Sequence, residues 1–489
     1  MISPRECKKA WVSMMTYPLV NNKFPTAQFN KIAIIGEAPG RYEVEIGEPF
    51  VGPSSRFLRG LLSRAGINPL ACFFGNVCQY QPPANEISRF SWGGEEIQES
   101  LLKLKEEIVL LQPNIILLLG NIPLKAAMDP SLPHPLLPGR FKYSISDWRG
   151  SILLPSSESI FCGIKCLPSY HPAAVLRQYD WCPVLTFDLR RLSRESSTAS
   201  VIYPIRDAQI NLDPYSLISQ MSDMRVRKQP IAIDIEGGVD SMSCISIAPS
   251  HDRAILIPFA NLDGSNHWTH EDDEFILWRA LADLLYDPEV PKILQNSLYD
   301  RFVLQYSYGI PVRGVVDDTM LKHWELYCEL EKSLAFQTSI YTQEPYYKFE
   351  RKQGDRNTFY RYCCKDSMVT FEINQLLETK LSPASRKHYQ FNLDLLNPLL
   401  YMELRGIKYD HDKAKTRRLM LEETMFARQH ELNELTGNSL ASHSPLQIHA
   451  IITSLMCYKK DPEHVKTPYL NTYIDATRLA ALPNKLPSQ

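Results

Sequence analysis

From Lys31 to Phe187, short apolar runs alternate with segments whose apolar positions recur every three or four residues. Lys31-Ile-Ala-Ile-Ile, ending at Gly36, reads as a strand buried on both faces. Phe57 to Ala65 has helical periodicity, Phe73-Phe-Gly-Asn-Val is a second strand, and Glu95 to Leu111 is a charged amphipathic helix. Asn114-Ile-Ile-Leu-Leu-Leu-Gly120 follows as a further strand. Strands alternating with helices predict a parallel sheet covered by helices. The small polar run Ser193 to Ser200 interrupts the pattern and marks a linker, taken to extend over 193–224.

The pattern resumes at Pro230. Ile231 to Glu236, Ser243 to Ile247 and Ala254 to Pro258 predict strands of an antiparallel meander. Helical segments follow at about Asp272 to Leu285, Asp300 to Tyr308 and Tyr360 to Leu377. From Pro383 onward the signal is nearly all helical, with a break at Glu403-Leu-Arg-Gly406-Ile-Lys. The expected division is an α/β domain over 1–192, the linker, a second α/β domain over 225–382 and a helical region over 383–489.

A chain of 489 residues is too long for one core and fits about three domains. Hydrophobic residues at 44% and charged residues at 22% describe an ordinary soluble globular protein. The net charge of −2 hides an asymmetry, with roughly 21 Lys+Arg against 17 Asp+Glu in residues 1–195 and an acidic remainder. A mildly basic front tolerates nucleic acid, and an acidic rear suits a carboxylate metal site. Met1 to Val20 carries charges and Pro where a signal peptide needs an apolar core, and no stretch reads as a membrane span. Eleven cysteines make no dense disulfide framework, so a reducing cytoplasm is expected.

Asp234 and Glu236 lie two apart in an apolar strand, so both side chains point to one face. Tyr362 and Asp366, four apart in a helix, also share a face. Acids inside an apolar strand are costly without partners. Hard divalent cations, Mg²⁺ or Mn²⁺, neutralise such clusters through oxygen ligands, and converging carboxylates serve two-metal phosphodiester hydrolysis. Asp234-x-Glu236, Asn296-x-x-x-Asp300 and Tyr362-x-x-x-Asp366, in this order, resemble the 3′–5′ exonuclease domain of family A DNA polymerases over about residues 225 to 380. The resemblance implies a ribonuclease H-like fold with two metal ions. Asp234 would bridge both, Glu236 and Asp366 would support one, and Asp300 would hold the second partly through water. Tyr362 would orient the attacking water, and Asn296 would position the strand end or a carboxylate. The vicinal Cys363-Cys364 reads as helix packing beside the site.

The front half carries a separate constellation: Gly36-Glu-Ala-Pro-Gly40, Glu43, Gly47-Glu-Pro-Phe50-Val-Gly52, Asn76 to Asn85, and Ser169-Tyr-His171-Pro-Ala-Ala-Val-Leu-Arg177. A glycine-rich turn after a strand could cradle any phosphate. Together the pieces resemble family 4 uracil-DNA glycosylases over about residues 28 to 192. By that resemblance Gly36 and Ala38 belong to the substrate loop, Phe50 stacks on the flipped uracil and Asn76 reads its Watson–Crick edge. His171 would donate to the uracil oxygen as charge develops. Glu37 and Glu43 are the candidates to position water or stabilise the sugar cation, and Leu176 or Arg177 could fill the gap in the duplex. Family 4 enzymes hold a [4Fe–4S] cluster on four cysteines. Here only Cys7 lies in the N-terminal ligand region, while Tyr80 and Ser100 stand where the later cysteines belong. No iron–sulfur cluster is therefore expected.

From about Tyr389 the chain resembles the start of a family A polymerase domain, through Leu395 to Asp410 and Asn438 with Ser444-Pro-Leu-Gln447. Fingers and palm motifs have no counterpart before Gln489, so the chain is expected to be either a truncated product or one part of a split polymerase, whose separate chain would then be a partner beside DNA. A glycosylase ahead of an exonuclease looks like a bacteriophage replication protein, in host cytoplasm. Three functions stay open: a bifunctional DNA enzyme, a non-catalytic uracil or modified-base reader joined to an exonuclease, and a proofreading subunit of a split polymerase.

Overall fold

The structure, a computed structural model, describes residues 17–128, 144–352 and 354–436. Residues 17–404 belong to one contact unit built on two sheets, and the helix His411–Thr436 belongs to a second unit. The first sheet contains β1 (Ile32–Gly36), β2 (Phe73–Asn76), β3 (Ile115–Leu119) and β4 (Lys165–Ser169) in the order β2-β1-β3-β4, all parallel. β1 and β3 are unbroken apolar runs because both faces are covered. Ile32, Ile34, Ile115 and Leu117 enter one core, while Ala33, Ile35, Ile116 and Leu118 enter the other. The helices Pro53–Arg64 and Cys182–Glu195 close the first face, and Glu95–Leu111 closes the second.

The second sheet has six strands, β5 (Asp207–Gln209), β6 (Ile231–Gly237), β7 (Met242–Ala248), β8 (Arg253–Pro258), β9 (Lys292–Leu294) and β10 (Val315–Asp318), in the order β10-β9-β6-β7-β8-β5. β6, β7 and β8 form the expected antiparallel meander, and β9 joins β6 in parallel. Along β6, Ile231, Ile233 and Ile235 pack towards the helices Pro214–Val226 and Glu271–Tyr286. The alternate positions, Ala232, Asp234 and Glu236, lie on the opposite face, where the helix Arg356–Glu378 crosses the sheet. Period-two alternation thus sends two acids towards one helix.

The structure differs from the expected linker over 193–224. The helix Cys182–Glu195 runs into that stretch, β5 pairs with β8, and Pro214–Val226 places Leu217, Met221 and Met224 in the second domain's core. Only three residues form β5, too few for alternation to reveal it. The helical signal after Pro383 resolves into the helix Pro383–Arg405 and, in the other unit, His411–Thr436. Asn438 and Ser444 to Gln447, quoted for the polymerase resemblance, lie outside the described residues.

The helix Leu334–Tyr341 comes from the second domain's sequence yet sets Phe336 in the first domain's core. Beneath it Arg149 and Asp188, each about 1% exposed, form a bidentate ion pair. Ser169 also donates to Asp188, at 2.6 Å. Breaking a buried pair strands the remaining charge away from water. Asp188→Ala should therefore lower unfolding free energy by about 3–5 kcal/mol, measured by urea unfolding followed by circular dichroism.

Candidate active sites

The first site opens where the parallel strands end, as ligand sites of open α/β sheets do. β1 runs into Glu37 and Ala38, β2 ends on Asn76, and β4 leads through Tyr170 to His171; these residues line a cavity of about 630 Å³. Gly36 and Asn76 are register partners on its floor. A Cβ on Gly36 would lie 2.6 Å from Asn76 Oδ1 and 2.8 Å from Phe50 Cζ, so glycine is what lets the ring and the amide approach the strand. Phe50 holds a left-handed backbone, φ 57°, which turns its ring against Phe74 and the pocket. Asn76 is buried and its backbone N–H donates to Asn22 Oδ1 at 3.0 Å.

The two acids of this pocket are physically different. Glu43 accepts from the backbone N–H of Gly40 at 3.1 Å, Val51 at 3.3 Å and Gly52 at 3.0 Å, so its carboxylate braces the loop. Glu37 lines the cavity, its carboxyl makes no hydrogen bond among the described residues, and burial raises its pKa. His171 caps the helix Pro172–Arg177, with Nδ1 accepting from Ala173 N–H at 3.2 Å. That contact assigns the ring proton to Nε2. Burial, then the charge of Arg177, lowers its pKa to about 4, so the ring is a neutral donor at neutral pH. Arg177 reaches the cavity rim, and Leu176 is exposed beside it. Sequence reasoning missed the lining pair Tyr170 and Trp181, stacked at 4.4 Å; no spacing signal links them.

The second site gathers three of the four expected carboxylates. Asp234 and Glu236 from β6 and Asp366 from the helix Arg356–Glu378 offer oxygen atoms that all lie within 4.8 Å of one another. Asp300 is buried beside them on the helix Ser297–Tyr308 but stands outside that group. Burial, then Asp366, Asp300 and Glu236, raises Asp234 well above the usual carboxylate range. Burial raises Glu236 to about 7 against the pull of Arg351. Burial and Asp318 raise Asp300 to about 8. Tyr362 lies one turn before Asp366, and its hydroxyl accepts from Lys348 Nζ at 3.1 Å. The exposed Asn296 is not drawn into the cluster. Its backbone, at φ 61°, caps the helix, and its N–H donates to Asp318 Oδ1 at 3.2 Å. Cys363 and Cys364 are buried in the helix's packing.

Four partners of these acids escaped sequence reasoning. Tyr347 donates to Asp366 Oδ1, Lys348 Nζ lies 2.7 and 2.6 Å from the two Asp366 oxygens, and Arg351 pairs with Glu236 at 2.9 Å. Asp318 accepts from Ser297 N–H at 2.7 Å and fixes the start of the helix bearing Asp300. None of them stands in a recognisable motif. The oxygen-only donor set and its crowding fit divalent cations.

A family model described as Uracil DNA glycosylase superfamily matches residues 26–189. The type-4 uracil-DNA glycosylase of Pyrobaculum aerophilum is 35% identical over 150 residues, which cover 68% of that protein and 30% of this chain. By its first domain, the chain belongs to the type-4 uracil-DNA glycosylases. The Thermotoga maritima type-4 uracil-DNA glycosylase is 29% identical over 147 residues, 67% of its length. A second family model, described as 3′-5′ exonuclease, matches residues 211–382. DNA polymerase I of Synechocystis is 28% identical over 218 residues, 42% of this chain and 22% of the polymerase. The chain thus spans about a fifth of that relative's length. The polymerase domain of Pol1 from M. smegmatis overlaps 56% of this chain and 47% of its own at 16% identity and a TM-score of 0.36. A glycosylase domain and a 3′–5′ exonuclease domain, both hydrolase types, support a role in DNA repair or replication. No described helix is long and apolar enough to cross a membrane.

The described residues of the glycosylase domain do not fit a four-thiolate cluster. Tyr80 donates to Glu99 at 2.7 Å, and Ser100 joins Gln79 N–H to the Glu96 carbonyl. Cys166 points into the hydrophobic core, and Cys7 lies outside the described residues.

Gly36→Ala should reduce uracil binding by at least tenfold while leaving 3′-end degradation intact, as measured by fluorescence titration with a uracil-containing oligonucleotide. A pH dependence follows from the second site. The folded pKa values of Glu236 and Asp300, about 7 and about 8, exceed the ordinary 4.5 and 3.8. Their contribution to stability is full below pH 4 and is lost as pH rises through 7 and 8. In EDTA the thermal midpoint should therefore fall from pH 5 to pH 8, with a shallower slope in Asp300→Asn.

Proposed function

We propose that the chain combines hydrolysis of the uracil N-glycosidic bond in DNA with metal-dependent 3′–5′ exonucleolytic proofreading. The observation that carries this reading is the pairing, in one chain, of a neutral His171 facing a pocket with Phe50 and Asn76 and a separate three-carboxylate cluster.

In the first site Phe50 offers a stacking face for a base turned out of the duplex, and the Asn76 amide can pair with its edge. Nε2–H of His171 donates to the uracil oxygen that gains charge as the C1′–N1 bond breaks, and a neutral donor keeps that proton shared. Glu37, whose carboxyl makes no hydrogen bond among the described residues, would orient water or face the cationic sugar; Glu43 acts by shaping the loop. Leu176 and Arg177 stand at the rim, where a side chain could enter the vacated stack.

In the second site Asp234, Glu236 and Asp366 would hold Mg²⁺ or Mn²⁺, and Asp300 would hold a second ion partly through water. Bound there, such ions would supply Lewis acidity and charge compensation at the scissile phosphate. Tyr362 orients water through its hydroxyl, and Asn296 stands at the helix start, where a strand end could pass.

Two further readings have support. The lack of fitting cluster ligands among the described residues and Ala38 in the signature loop favour a base reader without catalysis. The exposed Phe391, Leu395, Leu399 and Met402 on the helix Pro383–Arg405 favour a partner bearing polymerase palm and fingers.

An end-labelled oligonucleotide with one internal uracil, incubated in EDTA and then heated in alkali, tests the reading. Cleavage at uracil indicates excision; an intact strand with 3′ trimming after Mg²⁺ is restored makes the front domain a reader. His171→Ala should slow excision by about 10²–10³-fold and spare trimming. Asp234→Ala should do the reverse, losing about 10³-fold or more of the trimming rate, several kcal/mol of barrier lowering.

A further inference from the structure

The segment from Leu334 to Lys352 lies between the two domains and serves both. On one side it is fastened to the glycosylase domain. Arg149 Nη1 donates to Ser339 Oγ at 2.8 Å, and Arg191 donates to the carbonyls of Ser339 and Thr342 at 2.8 and 2.7 Å. The Tyr346 N–H donates to Ser151 Oγ at 3.1 Å. Trp148, 5% exposed, packs on Tyr346 with ring centroids 5.2 Å apart and stacks on Phe349 at 5.8 Å. On the other side the intervening residues turn to the carboxylates: Tyr347 and Lys348 to Asp366, then Arg351 to Glu236. Positions 346 and 349 thus read the glycosylase domain, while 347, 348 and 351 read the exonuclease site. The segment is one short piece of chain, with a 3₁₀ turn over Lys348–Lys352, so shifting one set of side chains shifts the other.

We propose that the glycosylase domain is a structural part of the exonuclease site: through Trp148 and Ser151 it holds Tyr347 and Lys348 in the register that orients the Asp366 carboxylate. Tyr347 and Lys348 are positioning residues, acting through Asp366. The proposal rests on the reading of Asp234, Glu236 and Asp366 as metal ligands. Outer partners that orient ligating carboxylates change metal affinity by about 10–100-fold when removed.

The test uses the full chain and Mn²⁺ alone as probe, titrated by calorimetry, with trimming and excision assayed on the same preparations. Tyr347→Phe, which keeps the ring and removes the donor, should weaken Mn²⁺ binding about tenfold. Trp148→Leu and Ser151→Ala, both in the glycosylase domain, should weaken it in the same direction by threefold or more. Each should raise the Mn²⁺ concentration for half-maximal trimming without changing the KM for DNA, and excision should stay within twofold. Trp148→Phe, which keeps a ring for Phe349, should restore affinity. Should Trp148→Leu fail to fold, Ser151→Ala and Tyr347→Phe decide. Parent-like Mn²⁺ affinity in these folded variants overturns the coupling alone. A parent chain that binds no Mn²⁺ overturns the ligand reading and the coupling with it.

Discussion

Asp234, Glu236 and Asp366 bring three carboxylates within a few ångströms of one another and largely out of water. Like charges at that spacing cannot all remain ionised without compensation. Much of the second domain's construction answers this constraint. The strand supplies two acids on one face, the crossing helix supplies the third, and Lys348 and Arg351 arrive from a segment outside both elements. Burial raises Asp234 and Glu236; Lys348 opposes that rise at both, and Arg351 opposes it at Glu236. A divalent cation would answer the same constraint more strongly, because one ion can meet several oxygens at once.

The glycosylase pocket solves the opposite problem. Its key groups carry no charge at neutral pH: an amide, an aromatic ring and an imidazole whose pKa is lowered to about 4. These groups approach one another closely, which the parallel sheet allows by ending its strands at one edge. Gly36 is the tightest point, since any side chain would strike both Asn76 and Phe50. Glu43 shows how the loop keeps its shape, spending its carboxylate on three backbone donors.

Much of this was legible in the sequence, for local reasons. Apolar runs and helical spacing locate the strands and the longer helices, because burial on one or two faces leaves a period in the chain. The acids of β6 stand out for the same reason: they interrupt a run that should be apolar. What remained hidden depends on contacts between distant residues. Glu37 and Glu43 look alike until the backbone donors around Glu43 are seen. Asp300 keeps its motif spacing yet stands apart from the three converging acids, a matter of helix placement rather than of pattern. Lys348 and Arg351 look like ordinary surface cations, and the stretch over 193–224 looks like a linker because β5 is too short to show a period. Ser339 meets Arg149 across 190 residues, a contact that no local pattern encodes.

The junction also bears on how two chemistries share one chain. Arg149 and Arg191 are almost fully buried, and their hydrogen bonds to Ser339 and Thr342 cross between the domains. Parting the domains would break these bonds, at about 1–3 kcal/mol for each buried donor or acceptor left without another partner. On the proposed function, these bonds would keep the two sites in a fixed relation and leave the DNA to do the moving. A flipped base is presented from within a strand, whereas trimming needs a free 3′ end. An abasic product could reach the carboxylates only after its strand is opened and threaded from its end. On that reading, a junction held by these bonds would favour two sites that survey the same DNA separately over a direct transfer between them.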